Sequence, residues 1–125
     1  MATKIYDSYS TDGSVNPISL NVKIGYAQLG STSVSIDYDQ LVIAPLADQN
    51  GNYRGDFTII LGTNENLKGK NLSIVTNVSI LKSPTASSVS ITLSGGVGSH
   101  AYSLKSGATA AVGDIINYLA SITLI

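Results

Sequence analysis

Cysteine and tryptophan are absent from this 125-residue chain, histidine occurs once, and charged residues make up only 12% of it. Each absence removes a class of function. Without Cys there is no disulfide, no thiol nucleophile, and no Cys-ligated zinc or iron–sulfur centre. A single imidazole, His100, leaves one candidate base, and its neighbour Ser99 would point to the opposite face of any strand. No Gly-x-Ser-x-Gly elbow accompanies it, so catalysis of the Ser-His-Asp kind has no support and no enzyme is expected. Seven Lys and Arg against eight Asp and Glu give a net charge of −1. A surface that must neutralise several phosphates cannot be assembled from so few cations, which argues against nucleic acid as a partner. No apolar run approaches the roughly 20 residues of a membrane-spanning helix. The opening MATKIYDSYS has no apolar core of a secretory signal, so cytoplasmic residence is the default expectation.

What the chain has in quantity is small uncharged polar residues, 18 Ser, 10 Thr and 9 Asn, alternating with aliphatic ones. Period-two alternation dominates. Leu20, Val22, Ile24 and Tyr26 alternate with polar residues, and after a turn at Gly30–Ser31 so do Val34, Ile36 and Tyr38, which predicts a hairpin. Leu72, Ile74, Thr76, Val78 and Ile80 are expected to form a second hairpin with Val89, Ile91 and Leu93, joined through Ser83 to Ser87. Phe57 to Leu61 reads as a short strand. Gly95–Gly98 reads as a bend between sheets, and the alternation of Ile116, Tyr118, Ala120, Ile122 and Leu124 as a closing strand. Helical periodicity is nearly missing; the competing helix over 108–120 is weakened by Gly113, Ile115 and Ile116. A single domain over residues 1–125 follows, an antiparallel β-sandwich of about eight strands, immunoglobulin-like or jelly-roll-like, with little or no helix.

Two places resemble calcium sites in part. Asp37 and Asp39, two apart on an expected strand, would project from one face at a spacing that suits a cation, yet no third carboxylate follows. Asp48, Asn50 and Asn52 fall at the first oxygen positions of a calcium loop, but Tyr53 and Ile59 stand where an EF-hand needs Gly and Glu. No metal and no cofactor is therefore expected. Arg54-Gly55-Asp56 spells the tripeptide that integrins bind, three letters that chance supplies readily. Gly95-Gly96-Val97-Gly98-Ser99 lacks the Lys of a phosphate loop.

The expected outward strand faces, Ser88, Ser90 and Thr92 among them, are Ser, Thr and Asn where a soluble monomer would mix in Lys and Glu. Such side chains desolvate at lower cost than ions and leave few of the charges that block edge-to-edge association. The first expectation is a structural or interaction module that self-assembles or docks on a larger assembly. The second is a binder of carbohydrate or another polar ligand, with Asn52, Tyr53 and Arg54 as contact candidates. Seven Tyr serve that reading: Tyr6, Tyr9, Tyr53 and Tyr102 sit in polar stretches and are expected to be half exposed, while Tyr26, Tyr38 and Tyr118 are expected in the core.

Overall fold

Alternating side chains send successive residues to opposite faces, and nearly every element of the fold obeys that rule. The computed structural model describes residues 2–25, 28–37, 39–43, 56–81, 86–106 and 111–125. Its strands are β1 (Ala2–Tyr9), β2 (Pro17–Ile24), β3 (Leu29–Ile36), β4 (Asp39–Ile43), β5 (Phe57–Thr63), β6 (Asn71–Ser79), β7 (Ser87–Gly96), β8 (Gly98–Ser106) and β9 (Ile115–Leu124), with one four-residue helix, α1 (Asn64–Leu67). They form a five-stranded sheet, β1-β9-β6-β3-β4, and a four-stranded sheet, β5-β2-β7-β8. All pairings are antiparallel except β1 with β9. The all-β class is as expected, with the sandwich's two layers built on one core. The β7–β8 hairpin, placed in the chain between β6 and β9, builds out the four-stranded sheet beyond β2.

Both expected long-range hairpins are corrected. β2 and β3 lie in different sheets, and so do β6 and β7. The alternation assigned the right residues to the inside, but a strand's inner face says nothing about its neighbour. Gly30 and Ser31 lie within β3, paired to Val78 and Asn77 of β6, and form no turn. Gly95–Gly98 is likewise a turn within one sheet, between β7 and β8, and not a bend between sheets.

A single buried cluster joins the layers, with Leu20 and Val22 of β2 and Val89 and Ile91 of β7 against Ile74 and Val78 of β6 and Ile122 of β9. Across its middle runs a polar line. Thr32 of β3 and Thr76 of β6 are both buried and share a hydrogen bond of 2.9 Å. Thr76 pairs in register with Tyr118 of β9, whose hydroxyl crosses to the buried Ser87 hydroxyl of β7 in the other sheet.

At one end of the sandwich Asn64 is fully buried and satisfied. Its carbonyl accepts from Asp12 N–H, and its amide donates to the Asn16 and Gly95 carbonyls. Gly95 is required there, because a Cβ would lie 2.1 Å from the Pro17 carbonyl oxygen and its φ is +101°.

The Thr pair makes a sharp test. Thr76→Val leaves the Thr32 hydroxyl buried without this partner and is expected to cost about 1–3 kcal/mol, whereas Thr32→Val with Thr76→Val together removes both groups and should fall well short of the sum. Urea unfolding of the single and double variants measures the cycle.

Candidate functional site

Residues that face away from the core are set by the same alternation. On the five-stranded sheet, strand register lines them up in rows: Tyr6, Ser121, Ser73, Ser35; then Lys4, Leu119, Val75, Ser33; then Asn117, Asn77, Ser31. Lys4, at the β1 edge, is the one charged group among the described side chains of this face. Val75 at its centre is 37% exposed and Tyr6 at its edge 72%.

The outer face of the four-stranded sheet holds the expected candidates Ser88, Ser90 and Thr92, each partly exposed on β7. Their cross-strand neighbours include Lys105 beside Ser88, Lys23 and Ser103 beside Ser90, and Asn21 and Ala101 beside Thr92. Asn21 also donates to the Thr58 hydroxyl at 2.7 Å. This face therefore carries two cations. Among the described side chains, the carboxylates of Asp12, Asp37, Asp56, Glu65 and Asp114 lie on neither outer sheet face: Glu65 is in α1 and the others are in turns or beside strand ends.

The remaining group is at the seam where β1, the edge of one sheet, meets β8, the edge of the other. Register places Asp7 opposite buried Ile122 and His100 opposite buried Leu93, so both polar side chains point inward at the rim. His100 Nε2 lies 3.9 Å from an Asp7 carboxylate oxygen, with the two side chains 54% and 47% exposed. The His100 ring lies against Tyr102, centroids 4.5 Å apart and planes tilted by 42°. Tyr102 is 9% exposed, and its hydroxyl is buried with no hydrogen-bond partner of normal geometry. Burial first, and the neighbouring Asp7 carboxylate second, push that hydroxyl up to about 12. Tyr9 closes the seam from below: its hydroxyl donates to the Gly98 carbonyl and accepts from Gly96 N–H.

Several expectations change here. Tyr9 and Tyr102 are buried, not half exposed, because a polar sequence neighbourhood reports on the opposite strand face. Tyr6 and Tyr118 are exposed and buried as expected. Asp37, at φ +49°, is in the turn after β3 and not on a strand as expected. The Asp37 carboxylate accepts from Asn71 N–H at 2.8 Å, which gives it a structural task. Tyr26, Tyr38, Asp48, Asn50, Asn52, Tyr53 and Arg54 lie outside the described residues. Among the described residues no three His, Asp or Glu side chains gather to hold a metal. The seam cluster was not singled out from sequence; its only signal was the lone His on an apolar face.

No family model, no curated protein and no solved structure matches the chain.

The raised Tyr102 hydroxyl fixes a pH dependence. Its neutral form is favoured in the folded chain, so its stabilising contribution is whole below the unfolded value near 10 and is lost as pH climbs through about 12. Ultraviolet titration should show a late-titrating tyrosine that is missing in Tyr102→Phe. At neutral pH the same substitution removes both the burial cost of the hydroxyl and its contact with the Asp7 carboxylate, so the melting temperature should stay close to that of the wild type.

Proposed function

We propose that this protein is a non-enzymatic interaction module that assembles with copies of itself, or docks on a larger assembly, through the outer face of its five-stranded sheet. The observation that carries the reading is the set of Ser and Asn rows around Val75 and Leu119, where Lys4 at the β1 edge is the one charge among the described side chains. Hydroxyls and amides lose little on leaving water if a partner supplies hydrogen bonds, and the central aliphatic pair adds apolar area. Two copies meeting on this face bring no like charges together at its centre. On the four-stranded face, Lys23 and Lys105 flank Ser90 and Ser88, which makes that face the poorer choice for self-association. The sheet edges add a second contribution, because residues 57–63 of the β5 edge include no charge and no proline.

Light scattering behind size exclusion over a wide concentration range is the test. The wild-type chain should give a defined oligomer, Val75→Lys a monomer, and Ser90→Lys the wild-type mass. An unpaired cation forced into the interface costs about 3–5 kcal/mol, roughly a hundred- to several-thousand-fold in affinity. A wild type that stays monomeric throughout, or a Val75→Lys chain that assembles unchanged, overturns the reading for self-association.

Exposed Tyr6 favours a second reading. Its ring stands at the edge of the same face, beside the Ser121 and Ser73 row, where an aromatic platform next to hydroxyl and amide groups suits the CH face of a sugar. Tyr6→Ala should then lose retention on an immobilised glycan panel without loss of folding. Equal retention by the variant removes this face as a glycan site.

A further inference from the structure

We propose that the open edge of β5 pairs with the β5 edge of a second copy, antiparallel about a two-fold axis at Ile59, so that two four-stranded sheets form one of eight strands. The inference rests on the self-association reading above for its occupant, and it assigns that occupant to a strand, a register and a set of backbone groups.

β5 has the sequence of an interior strand in an edge position. The other three edge strands include charged or titratable residues, Lys4 and Asp7 in β1, Asp39 in β4, and His100 and Lys105 in β8. β5 has none, and its run Ile59-Ile60-Leu61 sends aliphatic side chains to both faces. A strand with one face in water alternates apolar with polar, whereas a continuous aliphatic run marks a strand covered on both faces. Coverage is incomplete here: Ile60 points outward and is 60% exposed, while inward Ile59 packs on the core but is only partly buried. The outward residues beside it on β2, Ser19 and Asn21, are short and polar, so Ile60 has no aliphatic neighbour across that ladder.

The hydrogen-bond pattern fixes the register. Gly25 N–H donates to the Ser88 carbonyl beside β2 on one side at 2.9 Å, and Ile24 N–H, turned the other way, donates to the Asp56 carboxylate at 2.8 Å. Alternation along β2 then directs the backbone groups of Leu20 and Val22 to Ile59 and Phe57, and aims the N–H and C=O of Thr58 and Ile60 at the open edge. A two-fold axis at Ile59 sets Thr58 opposite Ile60 of the second copy, and Ile60 opposite its Thr58. Each is a hydrogen-bonded pair that exchanges two N–H···O bonds. The two Ile59 side chains meet between them as a non-hydrogen-bonded pair, where side chains approach most closely, and each Ile60 gains the neighbouring Thr58 as cover. The pairing stays within residues 57–61, clear of Gly62, where the ladder with β2 shifts register. A charged partner strand would have to bury its charge beside Ile59; a second β5 brings none.

The chain has no Cys, so Ile59→Cys carries a single thiol that reads this register. Paired about the axis, the two Cα atoms fall about 4.5 Å apart, within the range a disulfide spans. In a glutathione redox buffer the equilibrium constant for the covalent dimer should be on the order of tenfold larger for Ile59→Cys than for Ser90→Cys, a thiol on the outer face of β7. Adding Ile60→Lys to Ile59→Cys should remove that advantage, and Thr58→Cys mixed with Ile60→Cys should cross-link more than either alone. Circular dichroism and melting of the reduced chains confirm that the variants fold. A pairing this short dissociates at the dilution of size exclusion, where Val75→Lys is monomeric, yet the advantage of Ile59→Cys should persist when Val75→Lys is added. No advantage over Ser90→Cys, one that survives Ile60→Lys, or one lost with Val75→Lys overturns the β5 pairing. A Val75→Lys chain of unchanged mass instead overturns the face contact and leaves the edge contact standing.

Discussion

The hydroxyl of Tyr9, held between the Gly96 amide and the Gly98 carbonyl, is the bond on which the closed side of this sandwich depends. β1 is an edge strand joined to its own sheet only through parallel pairing with β9, and Tyr9 is its one fully buried hydrophobic side chain among residues 4–9. Bonding to the β7–β8 turn ties that edge to the other layer. Val97 N–H to the Ser10 carbonyl adds a backbone link at the same place. The close approach needs Gly96, whose Cβ would lie 2.6 Å from the Ser10 carbonyl oxygen and 2.8 Å from the Tyr9 ring. Everything above the clamp follows from it: with Tyr9 fixed, Asp7 stands two residues up the same inner face and meets His100 two residues up β8.

How much of this was legible in the sequence depends on what kind of information each feature is. Face assignment is local, so the alternation in β2, β6, β7 and β9 named the buried side chains correctly. Strand partnership is not local, and the expected pairings of β2 with β3 and of β6 with β7 fail, because adjacent stretches of chain cross between layers instead of folding back within one. β1 carried no clear signal: its inner face reads Ile5, Asp7, Tyr9, and the inward Asp breaks the pattern that marks a strand. The same inward Asp is half of the seam cluster. Thus the residue that obscured β1 is also the one that gives the seam its carboxylate, which is where local rules are expected to fail.

Charge placement explains why so neutral a chain can present two unlike faces. The carboxylates that cap turns do structural work there, as Asp37 does for Asn71 N–H and Asp56 for Ile24 N–H. With most of its described acids at turns and strand ends, the described side chains of the outer sheet faces retain only scattered lysines. A face that lacks charge is open to association, and natural sheets commonly block this with lysines or inward charges at the edges. The seam has such a block in Asp7 and His100, and the four-stranded face has Lys23 and Lys105. The outer face of the five-stranded sheet is left with the least protection, a difference between surfaces that composition alone averages away.

Buried polar groups sharpen the contrast between scaffold and site. Thr32 with Thr76, Tyr118 with Ser87, and Asn64 with its three backbone partners all have their hydrogen bonds completed inside the chain, so each fixes a register at little net cost. Tyr102 differs from them in kind. It occupies an inner-face position at the rim, where Phe would fill nearly the same volume. Its hydroxyl faces the Asp7 carboxylate of β1, which with burial holds it in the neutral form. The phenol therefore links the β8 edge of one sheet to the β1 edge of the other, which Phe could not do.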